Sequence, residues 1–323
     1  MYKGKKVLVI GGAGFVGANL INALLARGAN VTATLHKKPA VIADGRVNYL
    51  QCDLRLPEDC RRVMKGMDYV FMCAANTSGA AVMAKTPLVH VTPNVIMNTL
   101  TLEAAYEAGV KKFLWFSSNT VYPPFDHPVK EDEMMKGEVF DKYFFVAWMK
   151  RFTEILCEMY GKRLKEPMPI VVIRPANIFG PYDDFEWETS HVVPALIRKV
   201  VERHSPLEVW GDGTEIKDLI FIDDLVEGTL LAMEKIDTFA PINIGTGRPV
   251  SVKDVLDAIL TADDYKDVRI VFNTSKPSMI PKRLIDVSKA KQLLGFEAKT
   301  SLSDGIKKTV DWYRGISQKG KLR

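Results

Sequence analysis

The sequence predicts an α/β fold, in which a doubly wound parallel sheet is joined to a smaller C-terminal mixed α/β lobe. The first observation is that short, continuous apolar runs alternate with helical segments from the amino-terminal residues onward. This alternation is typical of a parallel sheet covered by helices on both faces. The second observation is that the alternation becomes irregular after about residue 178. Because such sheets bind ligands at the carboxyl ends of their strands, we expect the smaller lobe to lie there.

Strand patterns recur at regular intervals in the first part of the chain. Six runs rich in apolar residues predict strands: KVLVIGG, NVTATLHK, VNYLQCDL, DYVFMCAA, KKFLWFSS and PIVVIRPAN. The first helix, FVGANLINALLARGA, ends at Gly28, and two further helical stretches cover residues 95–108 and 143–160. Farther along, VVPALIRKVVERH, VKDVLDAIL and VSKAKQLLGF predict helices, while INIGTG and VRIVF predict short strands.

Composition and charge argue against several classes of protein. The 323 residues include 44 basic and 39 acidic ones, and so small a positive charge, dispersed along the chain, does not indicate nucleic-acid binding. The four cysteines, Cys52, Cys60, Cys73 and Cys157, form no CxxC pair, which argues against a disulfide framework or a metal site. No apolar run is long enough for a membrane helix, and the one near the start is too short for a signal peptide. We expect a cytoplasmic protein.

The most specific motif is the glycine-rich turn in VLVIGGAGFVG. Its glycines follow a strand directly and open a helix, which is the context in which such turns bind a dinucleotide. They allow a tight turn, a close approach of the backbone to a pyrophosphate, and a helix N-terminus that faces the phosphates. The motif predicts a Rossmann-type fold with a nicotinamide cofactor bound by Gly11, Gly14, Phe15, Val16 and Gly17.

The end of the second strand distinguishes between the two nicotinamide cofactors. An acidic residue there would bind the ribose hydroxyls of NAD, whereas basic residues accommodate the 2′-phosphate of NADP. This chain has TLHKKP, with His36 and Lys37 and no acid, which favours NADP and leaves NAD as the alternative. After the third strand, Asp53 and Leu54 in CDLR either hold the adenine or form an ordinary turn.

Several segments carry a resemblance to one family. They are, in chain order, GGAGFVG, CDLR, FSSNTVYP, RPANIFGPYDD, VWGDGTEIKDLIFIDDL, NIGTG, PKRLIDVSKAKQLLGF and SLSDGIKKTVDWYR. On these motifs, which span essentially the whole chain, the sequence resembles the extended short-chain dehydrogenase/reductases, the NAD-dependent epimerase/dehydratase family of nucleotide-sugar enzymes. DDFEWETSHVVPALIRK and TATLHKKP look most like the GDP-L-fucose synthase branch.

The resemblance implies a bound NAD(P), a nucleoside-diphosphate-sugar substrate and two domains. Residues 1–178 with about 217–245 would form the Rossmann domain, and residues 179–216 and 246–323 the substrate-binding lobe. The helices at 95–108 and 143–160 would form a four-helix bundle with a second copy, giving a homodimer; a monomer is the alternative. The cofactor contacts that the resemblance adds are Ala74, Ala75, Asn94, Lys150 and Pro175.

The catalytic unit of the family is a Ser or Thr with Tyr-x-x-x-Lys, and this chain matches it only in part. Ser118 stands at the serine position and Lys150 at the lysine position. In the family, the lysine lowers the pKa of the tyrosine, which exchanges a proton with the sugar oxygen. Here Val146 occupies the tyrosine position, and valine has no proton to exchange. Tyr143 lies seven residues before Lys150, about 10.5 Å away along an ideal helix.

Neighbouring positions narrow the expected chemistry. Sugar dehydratases of the family carry an Asp–Glu pair where this chain has Asn119 and Thr120, which disfavours a 4,6-dehydratase. The fucose-synthase cysteine of SSCIYP is also absent, because this chain reads SSNTVYP. The remaining candidates for the proton donor are Tyr143, His191 and a water molecule held by Asn119. Tyr143 as a core aromatic and His191 as a helix cap are the alternatives.

The resemblance also assigns the substrate contacts. Asn177, with Ser118 and His191, is expected to face the sugar or the phosphate. Lys217, which stands where relatives have Arg, and Arg283 are candidates for charge-assisted bonds to the diphosphate. The sequence therefore predicts an NAD(P)-dependent nucleotide-sugar epimerase or reductase with an atypical active site. The alternatives are a nucleotide-sugar dehydrogenase or dehydratase with transient oxidation, and a non-catalytic NADP-binding sensor or scaffold.

Overall fold

The computed structural model describes residues 1–76, 86–276 and 279–318. Its centre is a sheet of seven strands: β1 (Lys6–Ile10), β2 (Asn30–Leu35), β3 (Asn48–Gln51), β4 (Tyr69–Met72), β5 (Lys112–Phe116), β6 (Ile170–Pro175) and β11 (Ala240–Ile244). Their order is β11–β6–β5–β4–β1–β2–β3, and every neighbouring pair is parallel. The strand order reverses between β1 and β4, which is the point where doubly wound sheets bind their ligands.

Helices cover both faces of this sheet. Val7 and Val9 of β1 belong to one buried core, and Leu8 and Ile10 belong to the other, because successive side chains of a strand point to opposite faces. The helices are α1 (Phe15–Ala26), α2 (Pro57–Met64), α3 (Thr92–Glu107), α4 (Phe144–Glu158), α5 (Val192–Val201), α6 (Ile222–Lys235), α7 (Val252–Ala262), α8 (Ser288–Leu294) and α9 (Leu302–Ser317). Apolar residues of α1 and α6 lie in the first core, and those of α2, α3 and α4 lie in the second.

Three small sheets complete the described structure. β7 (Asn177–Phe179) pairs with β10 (Leu219–Phe221), and β8 (Leu207–Trp210) pairs with β13 (Ile270–Asn273). β9 (Ile216–Lys217) lies between β12 (Val250–Ser251) and β14 (Lys282–Arg283). Because β9 and β14 are parallel and in register, Lys217 and Arg283 are direct neighbours.

The predicted fold class is confirmed, and the predicted strands of the first part of the chain are all present. The strand predicted from INIGTG becomes β11 and joins the main sheet beside β6. The helix predicted at 143–160 begins at Phe144, since residues Asp141–Tyr143 form a short 3₁₀ turn. The limits of the two domains stay a prediction. None of the helices in the described ranges is long and apolar enough to cross a membrane.

Candidate functional site

The glycine turn brings β1, β4 and the start of α1 into close contact. Gly11 has a φ of +86°, and a Cβ there would lie 2.8 Å from the backbone of Ala74. A Cβ at Gly17 would lie 2.2 Å from the carbonyl oxygen of Gly11. No larger residue fits at either position without moving the backbone, so the two glycines hold the turn against the edge of the sheet.

This turn has the properties that a dinucleotide pyrophosphate requires. Gly14 precedes α1 and provides no side-chain cap, and it is exposed. The N–H groups of Phe15 and Val16 lie in the first turn of α1, where the helix dipole favours an anion. The residues present therefore fit the phosphates of NAD or NADP, with Gly11, Gly14, Phe15, Val16 and Gly17 as the cradle. When bound, such a cofactor supplies or accepts a hydride.

At the ends of β2 and β3 the structure adds an arginine that the sequence patterns did not single out. Arg55 donates to the Asp53 carboxylate, with Nη2 2.6 Å from Oδ2, and His36 Nε2 lies 3.7 Å from the same oxygen. Hydrogen bonds from Arg55 lower the pKa of Asp53 well below its usual range. Lys37 is exposed beside them. The negative charge of Asp53 is thus offset by Arg55, and the cluster as a whole is basic.

Past the end of β4, Ala74 and Ala75 lead into Asn76, which is held by α3 and the turn before it. Asn94 Oδ1 accepts from the backbone N–H of Asn76 at 2.8 Å, and Asn94 Nδ2 donates to the carbonyl oxygens of Asn76 at 2.9 Å and His90 at 2.7 Å. The side chain of Asn94, predicted to contact the cofactor, therefore fixes this loop. Leu54, also predicted there, is buried.

Lys150 is buried between α4 and the carboxyl end of β5. Its Nζ donates to the carbonyl oxygen of Phe116 at 2.7 Å and lies 4.5 Å from the centre of the Trp115 ring. Burial lowers the pKa of Lys150 to about 8, although the nearby charge of Glu154 opposes that shift. Lys150 is therefore mostly protonated near pH 7 and is held rigidly at the end of the strand.

A buried ionic network lies one helical turn beyond Lys150. Glu154 and Arg174 pair at 2.6 Å, with both side chains 2% exposed, and Ser117 Oγ donates to Glu154 Oε1. Arg174 Nη1 also donates to the Tyr122 hydroxyl at 2.9 Å, which in turn donates to Asn243 Oδ1 at 2.6 Å. Because Ser117 lies between Phe116 and Ser118, this network fixes the end of β5 to the helix that carries Lys150.

Ser118, Asn119 and Asn177 come together at this end of the sheet. Asn119 Nδ2 donates to the carbonyl oxygen of Pro175 at 3.1 Å and lies 3.4 Å from Asn177 Oδ1. Ser118 Oγ accepts from the hydroxyl of Thr120 at 2.9 Å. Ser118 is partly exposed, so its hydroxyl hydrogen remains available to a sugar oxygen.

The Tyr143 hydroxyl lies near the backbone of Ile280 and the guanidinium of Arg283. Burial raises the pKa of the Tyr143 hydroxyl, which a backbone hydrogen bond from Ile280 and the charge of Arg283 oppose. The ring packs edge-to-face on Phe140, with the ring centres 5.5 Å apart. Tyr143 thus belongs to the region of Ile280 and Arg283, and a raised pKa makes it a weaker proton donor near neutral pH. Its assignment as the donor stays a prediction.

Lys217, Arg283 and His191 form a second cluster on the smaller lobe. Arg283 is buried and donates to the carbonyl oxygens of Pro123 at 2.8 Å and Tyr122 at 3.0 Å, and its Nε has no hydrogen-bond partner among the described residues. Burial lowers the pKa of Arg283 to about 10. Burial also lowers the pKa of Lys217. Two adjacent cations with an unused N–H suit a diphosphate.

His191 lies in reach of this cluster. It precedes α5, but its imidazole makes no capping hydrogen bond with the described backbone, so the capping alternative is not supported. Desolvation by the surrounding residues lowers the pKa of His191, the charge of Lys217 lowers it further, and Asp184 opposes both. At neutral pH the ring is therefore mostly uncharged and able to accept a proton.

The loop before α5 connects the two parts of the site. Asn19 Nδ2 on α1 donates to the carbonyl oxygens of Phe15 at 2.9 Å and Pro181 at 3.0 Å, which joins the loop to the glycine turn. Asp183 in this loop has an Oδ2 without a hydrogen-bond partner among the described residues, and burial raises its pKa to about 8. Asp183 itself therefore adds little negative charge near the cationic cluster at neutral pH.

Several residues that shape the site were missed in the sequence. Glu154 could have been found, because it follows Lys150 by four residues and so lies on the same helix face. Arg174 could also have been found, because it is the single charged residue at the end of an apolar strand. No local pattern pointed to His90 or Asn76, whose roles depend on how the turn before α3 packs against α4.

Comparison with known proteins gives a consistent result. The model of the NAD dependent epimerase/dehydratase family matches residues 7–245. A GDP-L-fucose synthase of Escherichia coli (strain K12) is 30% identical over 261 residues, which are 76% of this chain and 80% of that protein. A GDP-mannose 3,5-epimerase 1 of Oryza sativa subsp. japonica is 29% identical over 325 residues, which are 98% of this chain and 84% of that protein.

Among solved structures, the chain is similar to a UDP-glucose 4-epimerase with UDP-glucose from Thermotoga maritima. The TM-score is 0.85 at 28% identity, and the alignment covers 96% of this chain and 99% of that one. Fold and sequence therefore agree on a family of nucleotide-sugar epimerases and reductases.

Proposed function

Because the chain belongs to the NAD dependent epimerase/dehydratase family, we propose that it is an NADP(H)-dependent epimerase or reductase of a nucleoside-diphosphate sugar. The observation that carries this proposal is the placement of Lys150 and Ser118. Lys150 is bound to the carbonyl oxygen of Phe116, two residues before Ser118, at the carboxyl end of β5. β5 pairs with β4, and β4 pairs with β1, where the glycine turn begins.

The proposed substrate is a GDP-sugar. Lys217 and Arg283 supply adjacent positive charges for the diphosphate, and Asn177 and His191 supply polar groups for the sugar. The choice of guanine rests on the names of the curated relatives, a GDP-L-fucose synthase and a GDP-mannose 3,5-epimerase. The solved structure with UDP-glucose makes a UDP-sugar the second choice.

The proposed cofactor is NADP(H), with NAD(H) as the alternative. His36, Lys37 and Arg55 lie at the ends of β2 and β3, where a 2′-phosphate would be bound. Replacing Lys37 with Ala should weaken NADPH binding by about tenfold, the size of one lost charge-assisted bond, and leave NADH binding unchanged. Equal losses for both cofactors, measured by fluorescence titration, would contradict the assignment of Lys37 to the 2′-phosphate.

The proposed assembly is a homodimer through α3 and α4. Large apolar side chains are exposed on these two helices and at the end of α4: Ile96, Phe144, Phe145, Phe152, Ile155 and Met159. An exposed apolar surface of this kind marks an interaction site, and a two-fold pairing of the same surface would cover it with the same helices of a second copy. A cytoplasmic location is proposed as well, since all four cysteines are unpaired.

A single panel of reactions tests the proposed function. The protein is incubated with GDP-, UDP-, CDP- and dTDP-sugars, and with their 4-keto forms, with either cofactor. We expect turnover of a GDP-sugar. The reaction is monitored by absorbance at the nicotinamide band and by analysis of the sugar product. Tight cofactor binding without turnover of any sugar would instead support the non-catalytic sensor, which the valine at position 146 favours.

A further inference from the structure

Thr120 makes two hydrogen bonds to the side chain of Ser118. The backbone N–H of Thr120 donates to Ser118 Oγ at 3.1 Å, and the Thr120 hydroxyl donates to the same oxygen at 2.9 Å. A serine hydroxyl has one hydrogen that it can donate and two lone pairs that can accept. Thr120 therefore occupies both lone pairs of Ser118 Oγ, and the hydrogen of Ser118 is the part that is left for another group.

The backbone that carries this pair is held on both sides by α4. Before the pair, Ser117 Oγ donates to the carboxylate of Glu154. After it, the carbonyl oxygen of Val121 accepts a hydrogen bond from Arg151 Nε at 2.8 Å. Glu154 and Arg151 are both buried, and both lie on the helix that carries Lys150. The short segment between these two bonds is therefore fixed relative to that lysine.

The two bonds from Thr120 determine what the Ser118 hydroxyl can do. Because hydrogen bonds in a chain polarise one another, a hydroxyl that accepts two bonds becomes a stronger donor. Because its lone pairs are occupied, the same hydroxyl does not accept a bond from a sugar. Ser118 is partly exposed, so a ligand can reach its hydrogen. The geometry thus makes Ser118 a donor with a preset direction.

We propose that Thr120 is a positioning residue, which directs the Ser118 hydrogen onto the sugar oxygen that becomes negative during reduction. This inference rests on the proposed function. When a hydride adds to a carbonyl carbon, negative charge develops on the carbonyl oxygen, and donors that are oriented in advance stabilise this charge best. Val146 stands where the family has a phenol that would share this task, so the Ser118 bond contributes more here. Thr120 acts through Ser118 and does not itself contact the sugar.

The first test compares two substitutions of Thr120 on the sugar that the wild type converts. Thr120→Val removes the hydroxyl but keeps a branched side chain and the backbone N–H. We expect kcat to fall about tenfold, the size of one lost hydrogen bond. KM for the sugar and the NADPH dissociation constant should stay within about threefold, because the bond matters most in the transition state. Thr120→Ser restores the hydroxyl and should recover at least about half of the wild-type kcat.

Thr214→Val is the matched control. Thr214 makes the same pair of bonds in an exposed turn: its backbone N–H and its hydroxyl donate to Asp212 Oδ1 at 2.9 Å and 2.6 Å. We expect this variant to keep the wild-type kcat. An equal loss in Thr214→Val and Thr120→Val would overturn the inference, since breaking such a turn would then be enough to lower kcat.

A double-mutant cycle with Ser118→Ala shows whether Thr120 acts through the serine. In the Ser118→Ala background, Thr120→Val should change the rate by less than about twofold, because the hydroxyl that it orients is gone. Single-turnover reduction measures these slow rates. Losses that multiply in the double variant would contradict the inference, as would a wild-type kcat in Thr120→Val.

Failure of the proposed function gives a different result. In that case the wild type converts no sugar, or Ser118→Ala keeps the wild-type kcat. Both outcomes are known before Thr120 is changed.

Discussion

Val146 and Lys150 lie one turn apart on the same face of α4, and only the lysine of this pair can take part in proton chemistry. The lysine is bound to the carbonyl oxygen of Phe116 at 2.7 Å, whereas the valine borders a cleft with His90. Lys150 is therefore the residue of this pair that we expect to take part in catalysis. In the proposed reaction the proton therefore comes from a group other than the side chain at position 146.

The glycine turn gives the most direct prediction for cofactor binding. In Gly17→Ala the new Cβ would lie 2.2 Å from the carbonyl oxygen of Gly11, so the start of α1 must move away from β1. We expect a loss of about 1–3 kcal/mol in the free energy of unfolding and a clear loss of NADPH affinity. Gly45→Ala is the matched control, because a Cβ there meets nothing within 4 Å. Unchanged NADPH affinity in Gly17→Ala would contradict the assignment of the glycine turn to the cofactor pyrophosphate.

Lys150 should lower the stability of the fold. Burial lowers its pKa from 10.5 to about 8, so between these pH values the unfolded chain binds more protons, and the free energy of unfolding of the wild type rises with pH. Below pH 8 the buried charge costs up to about 3 kcal/mol. Lys150→Met should therefore be more stable at pH 7 by about 1–2 kcal/mol, since part of the gain is offset by the unpaired carbonyl of Phe116.

Urea unfolding at several pH values measures this effect. The advantage of Lys150→Met should shrink as the pH rises from 8 toward 10.5, and the variant should lose turnover. Lys112→Met is the control, because Lys112 is also buried in β5 but its Nζ is bound to Asp237 and the carbonyl oxygen of Met233. A Lys150→Met protein that is less stable than the wild type at pH 7 would show that its hydrogen bond outweighs the burial of its charge.

The pair of Glu154 and Arg174 should be strongly coupled. Glu154→Gln leaves the buried guanidinium of Arg174 without a counter-charge, which should cost about 3–5 kcal/mol. Replacing both residues, as in Glu154→Leu with Arg174→Met, should cost less than the sum of the two single changes. A double-mutant cycle by urea unfolding measures the difference, and additive losses would mean that the pair is not coupled.

The charge of Glu154 should also influence the pH at which activity is lost on the alkaline side. Its charge raises the pKa of Lys150 against the effect of burial, so Glu154→Gln should lower that pKa further. If activity requires the protonated lysine, the alkaline limb of the kcat profile should move to lower pH in any Glu154→Gln protein that remains folded. An alkaline limb at the wild-type position would show that the charge state of Lys150 does not limit turnover.

The proposed dimer depends on the apolar face of α4. Phe152→Glu places a charge among the exposed apolar residues of this face, and we expect a monomer where the wild type is a dimer, because an unpaired charge is costly to bury in an interface. Leu293→Glu is the control, since Leu293 on α8 is exposed to a similar degree, 48% against 45% for Phe152. Sedimentation velocity distinguishes the two states, and a wild-type monomer at high concentration would contradict the dimer.

The sequence by itself determined the sheet, its cofactor turn and the position of Lys150. These features depend on local patterns: apolar strands of period two, glycines at fixed spacing, and a helix whose register can be counted from one lysine. The absence of the tyrosine was equally visible, because it is a matter of position along one helix. None of these conclusions required knowledge of contacts between distant parts of the chain.

Only the tertiary structure decided which side chains meet. Tyr143 and Lys150 are close in sequence, but the 3₁₀ turn before α4 directs the tyrosine toward Ile280 and Arg283. His90 and Val146 are 56 positions apart, and they share a cleft because the turn before α3 packs against α4. Contacts of this kind depend on the packing of elements, which the periodicity of a single segment does not encode.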